Sequence, residues 1–514
     1  MRRALLVAVC VLCACGDDDD REPTPPRDAA TDSAQPAPID GGLPVLDAAL
    51  APDAAALTWS ACGDAGYQCA SFPSDNVRLA LTKLPARGAR LGSLVWNPGG
   101  PGASAIDYMP ALVDLLSAQV LERYDVIAVD PRGVGHSDPI LCHDKLQQLY
   151  SVNPSPESEP QWAAVDAVAK QFADDCANKY PRELLASLGT ERVVADFELL
   201  RQRLGEDKLN YLGFSYGTAI GARYAAAHPD KVGRFVLDAP VDLALDPFEI
   251  SLQQARSFEQ ALSNYFAWCN AERCPWAKGD PRTTFNALLQ QVEATPLPGT
   301  DRPCGPGELV QGVVAFLYGG EQGWEVISDD LTLASEGDGS GLVDSTDLYL
   351  ERDLDTGVYS NITEANYAVN CLDDDPLTLA QIRAQEAAFR SAAPIFGMPI
   401  LTHMLVCAHW PAQGKKPAAP SNVTSAPFMV IGTTQDPATP FAWAQATAQR
   451  LGPSAHLFTY DGEGHTAYAR EIPCVDAVVD AYLLNGTLPA APARCDARAA
   501  LVRSAHTPAA LIRR

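Results

Sequence analysis

The sequence predicts an α/β fold built on a mostly parallel sheet, and three observations carry that expectation. Short apolar runs of strand length, bounded by glycine, alternate with longer segments of helical spacing. The runs are nearly continuous in apolar residues rather than alternating, as in strands covered by helices on both faces. One of them, Leu209–Gly213, leads into Gly213-Phe214-Ser215-Tyr216-Gly217 and then a helix-compatible stretch. That is the order in which a serine is mounted on a sharp strand-to-helix turn.

Six strands are expected along the chain. Gly92–Asn97 and Asp125–Asp130 come first, followed by Leu209–Gly213 and Arg234–Asp238. Pro427–Gly432 and His456–Tyr460 complete the series, and helical spacing marks Glu191–Leu204 and Ala219–Ala227. Residues 241–426, between the fourth and fifth strands, have a different texture. They are helix-rich, with Phe248–Phe266 the clearest helix and an acidic run at Asp373-Asp374-Asp375. An insertion of this size is a domain in its own right, and late in such a sheet it lies over the carboxyl ends of the strands, where ligands bind. The expected organisation is a core from residues 58–240 and 427–514, with a cap over residues 241–426.

The chain has 514 residues and a net charge of −26, which argues against a nucleic-acid surface and against attraction to anionic lipid. Its start reads as an export signal: Arg2-Arg3, then an apolar stretch from Ala4 to Ala14 that is too short to span a bilayer. Leu12-Cys13-Ala14-Cys15 resembles a bacterial lipobox, which makes Cys15 the lipidated first residue of the mature chain and residues 1–15 the signal; a plain secretory signal is the alternative. Residues 16–57 are rich in Asp, Ala and Pro and cannot bury enough apolar surface to order themselves, so they read as a tether. Membrane attachment would be through the lipid alone. Of 14 cysteines, Cys10, Cys13 and Cys15 fall in the signal and an odd number remains. Their grouping suggests Cys62 with Cys69, Cys142 with Cys176, Cys269 with Cys274, Cys371 with Cys407 and Cys474 with Cys495, leaving Cys304 over. A metal site is the alternative reading, but beyond the signal no Cys-x-x-Cys or His-x-x-x-His spacing supports one.

A Gly-x-Ser-x-Gly motif also occurs in ordinary turns, so the reading of Ser215 as a nucleophile rests on its surroundings. Asn97-Pro98-Gly99-Gly100-Pro101-Gly102 follows an earlier strand, and its glycines let backbone amides point into a site. The amides of Gly100, beside Gly99, and of Tyr216 are candidates for an oxyanion hole. The remaining partners should follow in the order acid, then histidine. Asp436 ends the fifth strand, and His465 lies on a Gly-rich loop after the sixth. His136, His143 and His228 come before the insertion, His403 and His409 lie within it, His456 begins a strand, and His506 sits in the tail. Ser215 would attack a carbonyl, His465 would carry the proton, and Asp436 would hold the imidazole. This chemistry requires neither a metal nor an organic cofactor.

Taken together, Asn97–Gly102, Asp130-Pro131-Arg132-Gly133-Val134-Gly135-His136-Ser137, Gly213–Thr218 and Gly464-His465 resemble the secreted bacterial tripeptidyl aminopeptidases. These are α/β-hydrolase serine exopeptidases related to prolyl aminopeptidases. The likeness covers most of residues 58–500 and includes Trp268-Cys269, Cys274-Pro275, Asn370-Cys371-Leu372-Asp373, Cys407 and Trp410-Pro411. It implies an α/β-hydrolase fold with a Ser215–Asp436–His465 triad and release of short peptides from free N-termini, the cap recognising the α-amino group. Asp373 is a candidate acceptor for that ammonium, with a solvated acidic turn as the plain alternative. The chain departs from the family pattern at Ser71–Asn76, at Ala103-Ser104-Ala105 and most of all in the cap. A carboxylesterase or lactone hydrolase on the same fold is the competing activity, and a catalytically silent binding lipoprotein is a third. The partners expected are peptides, with no nucleic acid and no obligate protein.

Overall fold

The computed structural model describes residues 56–63, 66–142, 146–490 and 492–496. Cys15, the signal, residues 16–55 of the expected tether, His143 and His506 lie outside them.

The sheet has ten strands: β1 (Ser60–Ala61), β2 (Gln68–Ser74), β3 (Val77–Leu84), β4 (Gly92–Asn97), β5 (Tyr124–Val129), β6 (Leu209–Phe214), β7 (Val232–Asp238), β8 (Phe428–Gln435), β9 (Ala455–Glu463) and β10 (Ala493–Asp496). Their spatial order is β1-β2-β3-β5-β4-β6-β7-β8-β9-β10. From β5 through β10 every pairing is parallel, while β1, β2, β3 and β5 pair antiparallel. The six expected strands are β4 to β9. The hairpin β2–β3 went unseen because its pattern is the other kind. Val77, Leu79 and Leu81 point inward while exposed Arg78 intervenes, and Pro73 sits opposite Arg78.

Strands β4 to β9 each feed two cores, one on each face. Leu94, Trp96, Val126, Leu212, Met429 and Ile431 pack against the helices Met109–Leu115, Ala118–Arg123 and Pro473–Asn485. Their neighbours Val95, Ile127, Tyr211, Leu237 and Val430 pack against the helices Thr190–Arg203, Gly217–Ala227 and Phe441–Leu451. This is why the strands read as continuous apolar runs: residues on both faces are buried. The expected helices over 191–204 and 219–227 match the observed ones to within two residues at each end.

Between β7 and β8 the chain is mainly helical. The first helix, Pro247–Glu272, starts on a capping box in which Asp246 accepts the Phe248 and Glu249 amides and Glu249 reaches back to Asp246. Its aromatic face (Phe258, Tyr265, Phe266) packs with Trp276, Phe285 and Trp324 into a core separate from those of the sheet. The later helices Ile362–Asp373 and Gly397–His403 join instead a cluster around Trp162 and Phe172 of the helix Glu159–Lys179. Among the described residues no helix is long and apolar enough to cross a membrane.

The five cysteine pairs read from the grouping are all disulfides, and Cys304 is free and buried, its thiol pushed up to about 12 by that burial. The Cys371–Cys407 bridge closes 36 residues of the inserted region. Loop-closure entropy for that length corresponds to about 3–4 kcal/mol. A Cys371→Ser/Cys407→Ser double variant should lose stability of that order in denaturant titrations under oxidising conditions, whereas an unchanged midpoint would contradict the estimate.

Candidate active site

Ser215 sits directly after β6 with φ of 52°, the left-handed region that costs a residue with a side chain. Close approach on both sides requires the flanking glycines. A Cβ on Gly213 would lie 2.6 Å from the Gly217 carbonyl oxygen, and one on Gly217 would lie 2.8 Å from that of Asn97. The turn is held by the Ser215 amide donating to the Asp238 carbonyl (2.9 Å) and by Thr218 Oγ1 donating to the Ser215 carbonyl (2.6 Å). The helix Gly217–Ala227 then begins, so its N-terminus points at the serine.

The glycine loop after β4 presses against this turn. Gly99 and Gly100 have φ of 106° and 102°. A Cβ on Gly99 would lie 2.7 Å from the Phe214 carbonyl oxygen, 2.9 Å from Ser215 Cβ and 3.2 Å from the Tyr216 nitrogen. The Gly99 amide is not free to serve an oxyanion, because it donates to Asn97 Oδ1 at 3.0 Å. Its part is close packing. The amides of Gly100 and Tyr216 donate no hydrogen bond among the described residues, which leaves them as the open donors. Asp130, just after β5, fastens the far end of the loop, accepting from Ser104 Oγ (2.9 Å), the Ile106 amide (3.1 Å) and the His136 amide (2.9 Å).

Asp436 follows β8 with its side chain fully buried. Oδ1 accepts the Ala438 and Thr439 amides, both at 2.8 Å, and Oδ2 accepts Thr439 Oγ1 at 3.0 Å. His465 Nδ1 lies 2.9 and 3.0 Å from the two oxygens. An acceptor-only carboxylate makes Nδ1 the protonated nitrogen and leaves Nε2 as the base. Thr439 Oγ1 is 3.4 Å from the same Nδ1, so the threonine braces both partners. The His465 loop is tied to the inserted helices as well: its amide donates to the Tyr318 carbonyl at 2.8 Å, and the Tyr318 ring meets the imidazole edge-on at 5.3 Å. Arg470 donates to the His465 carbonyl (3.0 Å) and to that of Gly319 (2.8 Å). No hydrogen bond joins Ser215 Oγ to His465 in this structure; such contacts are often long in the absence of substrate and tighten when it binds.

The other candidates fall elsewhere. Asp373, expected as an acceptor for an ammonium group, instead caps the helix Thr190–Arg203: Oδ1 accepts the Thr190 amide at 2.9 Å and Oδ2 accepts Thr190 Oγ1. The same Thr190 hydroxyl meets the Tyr216 phenol, so Asp373 braces the elbow from behind. His136 pairs with Asp107 (2.7 Å) and His409 with Asp166 (2.8 Å). His403 stacks on Tyr367, and its burial pulls its pKa down to about 4. Among the described residues no cluster of His, Cys, Asp or Glu could hold a metal ion. Sequence reasoning gave no individual role to Thr439, Asn97 or Tyr318, although Thr439, three residues after the acid, and Asn97, two before Gly99, left local signals.

The packing at Gly99 gives a direct test. Gly99→Ala should lower kcat/KM by about a hundredfold or more, because small displacements of reacting groups have effects of that size. Gly337→Ala, also at positive φ (97°) but with nothing within 4 Å of its Cβ, should leave activity unchanged. Equal activity of the two variants would show that the loop does not set the turn.

Comparison with known proteins agrees with this fold. Residues 92–291 match the alpha/beta hydrolase fold family and residues 393–495 the TAP-like protein family. Serine protease Hip1 of Mycobacterium tuberculosis is 34% identical over 443 residues, covering 82% of this chain and 84% of its own. Carboxylesterase B of the same organism is 35% identical, covering 81% of this chain and 82% of its own. The tripeptidyl aminopeptidase of Streptomyces lividans is 30% identical, covering 82% and 80%. The chain therefore belongs to the tripeptidyl aminopeptidase family of α/β-hydrolases and is a serine hydrolase of the peptidase type.

Proposed function

We propose that the protein is an exported aminopeptidase that releases short peptides, di- or tripeptides, from free N-termini by way of an acyl-enzyme. The observation that carries this reading is the buried Asp436–His465 pair, 2.9 Å apart, on the loops after β8 and β9, at the same end of the sheet as the strained turn that presents Ser215 after β6. Peptide substrates follow from the relatives named as a protease and a tripeptidyl aminopeptidase. In this mechanism His465 Nε2 takes the Ser215 Oγ proton as Oγ bonds to the scissile carbonyl carbon. The Gly100 and Tyr216 amides hold the resulting oxyanion, each worth about 3–4 kcal/mol. Collapse breaks the C–N bond, and the proton passes from Nε2 to the leaving amine. Water then repeats the sequence and frees the acyl group. Residues 241–426 act as the cap that selects the substrate, and lipidation at Cys15 anchors the chain on the extracytoplasmic side of a membrane.

A second reading, hydrolysis of carboxylic esters, is favoured by the 35% identity to the relative named carboxylesterase B. A panel of free-amino and N-blocked peptide anilides beside short acyl esters separates the two. The aminopeptidase reading expects free peptides to be cleaved more than about a hundredfold faster than blocked ones, since buried groups built to pair with an ammonium reject its absence. Equal cleavage of blocked and free peptides would overturn it. Ser215→Ala should lower kcat by about 10⁶-fold on every substrate that is turned over.

A further inference from the structure

Asp238 ends β7 and takes part in none of the steps above. It is completely buried, and burial pushes its carboxyl up to about 6. Three of its oxygens have three different fates. The main-chain oxygen accepts the Ser215 amide at 2.9 Å. Oδ2 accepts the Ala467 and Tyr468 amides at 2.9 and 2.8 Å, just beyond His465. Oδ1 is buried with no hydrogen-bond partner. One residue thus holds the nucleophile's turn and the histidine's loop together.

Anchoring two amides requires only one oxygen, which a neutral asparagine would also supply. A buried carboxylate with an unpartnered oxygen is costly, so its charge calls for a reason. The charged groups facing it are His465, which favours the anion, Asp436, which opposes it, and Arg470, whose guanidinium also feels it. Arg470 is itself held on the carbonyls of His465 and Thr466, at 3.0 and 3.3 Å. The group that becomes charged during hydrolysis is His465, and in a site closed to water a neighbouring anion acts on it more strongly than in solution.

We propose that Asp238 is a positioning residue for the hydrolytic reaction: it fixes the His465 loop against the Ser215 turn, and its anion supports the imidazolium that forms when His465 takes the serine proton. The proposal rests on the Ser215–His465–Asp436 reading above. Asp238 gains and loses no proton in the cycle; the proton goes from Ser215 Oγ to Nε2 and on to the leaving group.

The test is Asp238→Asn, whose Oδ1 can still accept both amides while the charge is gone. The readout is the rate of labelling by a fluorophosphonate, in which Oγ bonds to phosphorus and fluoride leaves, so no knowledge of the natural substrate is needed. The rate should fall by ten- to a hundredfold. The acid limb of its pH profile should become shallower and lie at lower pH, because the carboxyl whose protonation removes the support is gone. A purely structural role would reduce the labelled fraction without moving the limb, and an unmoved limb overturns the proposal. Should Asp238→Asn fail to fold, the wild-type profile decides: a log-rate slope above one is expected near pH 6, where Asp238 takes up its proton and its support is lost. A slope of one throughout overturns it. Labelling that persists in Ser215→Ala would instead overturn the triad reading itself.

Discussion

The left-handed backbone at Ser215 is the constraint on which the rest of the site depends. A φ of 52° costs a serine about 1–3 kcal/mol, and it persists only where the surroundings leave no alternative. Those surroundings are specific. Gly213 and Gly217 give the room, the Asp238 carbonyl and Thr218 hydroxyl hold the turn, and Gly99 closes on it from the neighbouring loop. Relaxing the turn would drop the side chain back toward the sheet, away from His465. The two-sided cores of the sheet keep β4, β6 and β7 in register and so keep these loops in contact.

Three buried aspartates at the carboxyl ends of the strands perform the same local task. Asp130 takes the amides of Ile106 and His136, Asp238 those of Ala467 and Tyr468, and Asp436 those of Ala438 and Thr439. Loops at this end have no ladder partners, so their amides must find acceptors elsewhere. A carboxylate offers several lone pairs at a fixed point. These loops are thereby pinned to the strand ends of the sheet. An acidic chain can do this because these carboxylates are buried among backbone donors and are not merely surface charge.

Much of this was legible in the sequence, and the reasons differ by element. Strands β4 to β9 were visible because burial on both faces makes an apolar run; β2 and β3 were not, since Arg78 and Pro73 interrupt an edge hairpin. Ser215, Asp436 and His465 could be read because each follows a strand and the order of acid and base is restricted. Asp238 could not be read as an anchor, since accepting an amide from a loop more than 200 positions away, as it does from Ala467, leaves no local mark. Asp373 was misplaced for a related reason: an acidic run looks solvated until its helix is docked, and only then do its oxygens meet Thr190. Nor do short motifs mark how the inserted helices pack, because they are ordered by their own aromatic core.

The central claim is that a single serine at the end of β6 is the nucleophile. It is tested most directly by reacting the protein with a fluorophosphonate and locating the adduct by peptide mass mapping. One phosphonyl group per chain on the peptide containing Ser215 is the predicted result. An adduct on any other residue, or an unmodified Ser215 in enzyme that has lost its activity, would contradict the account.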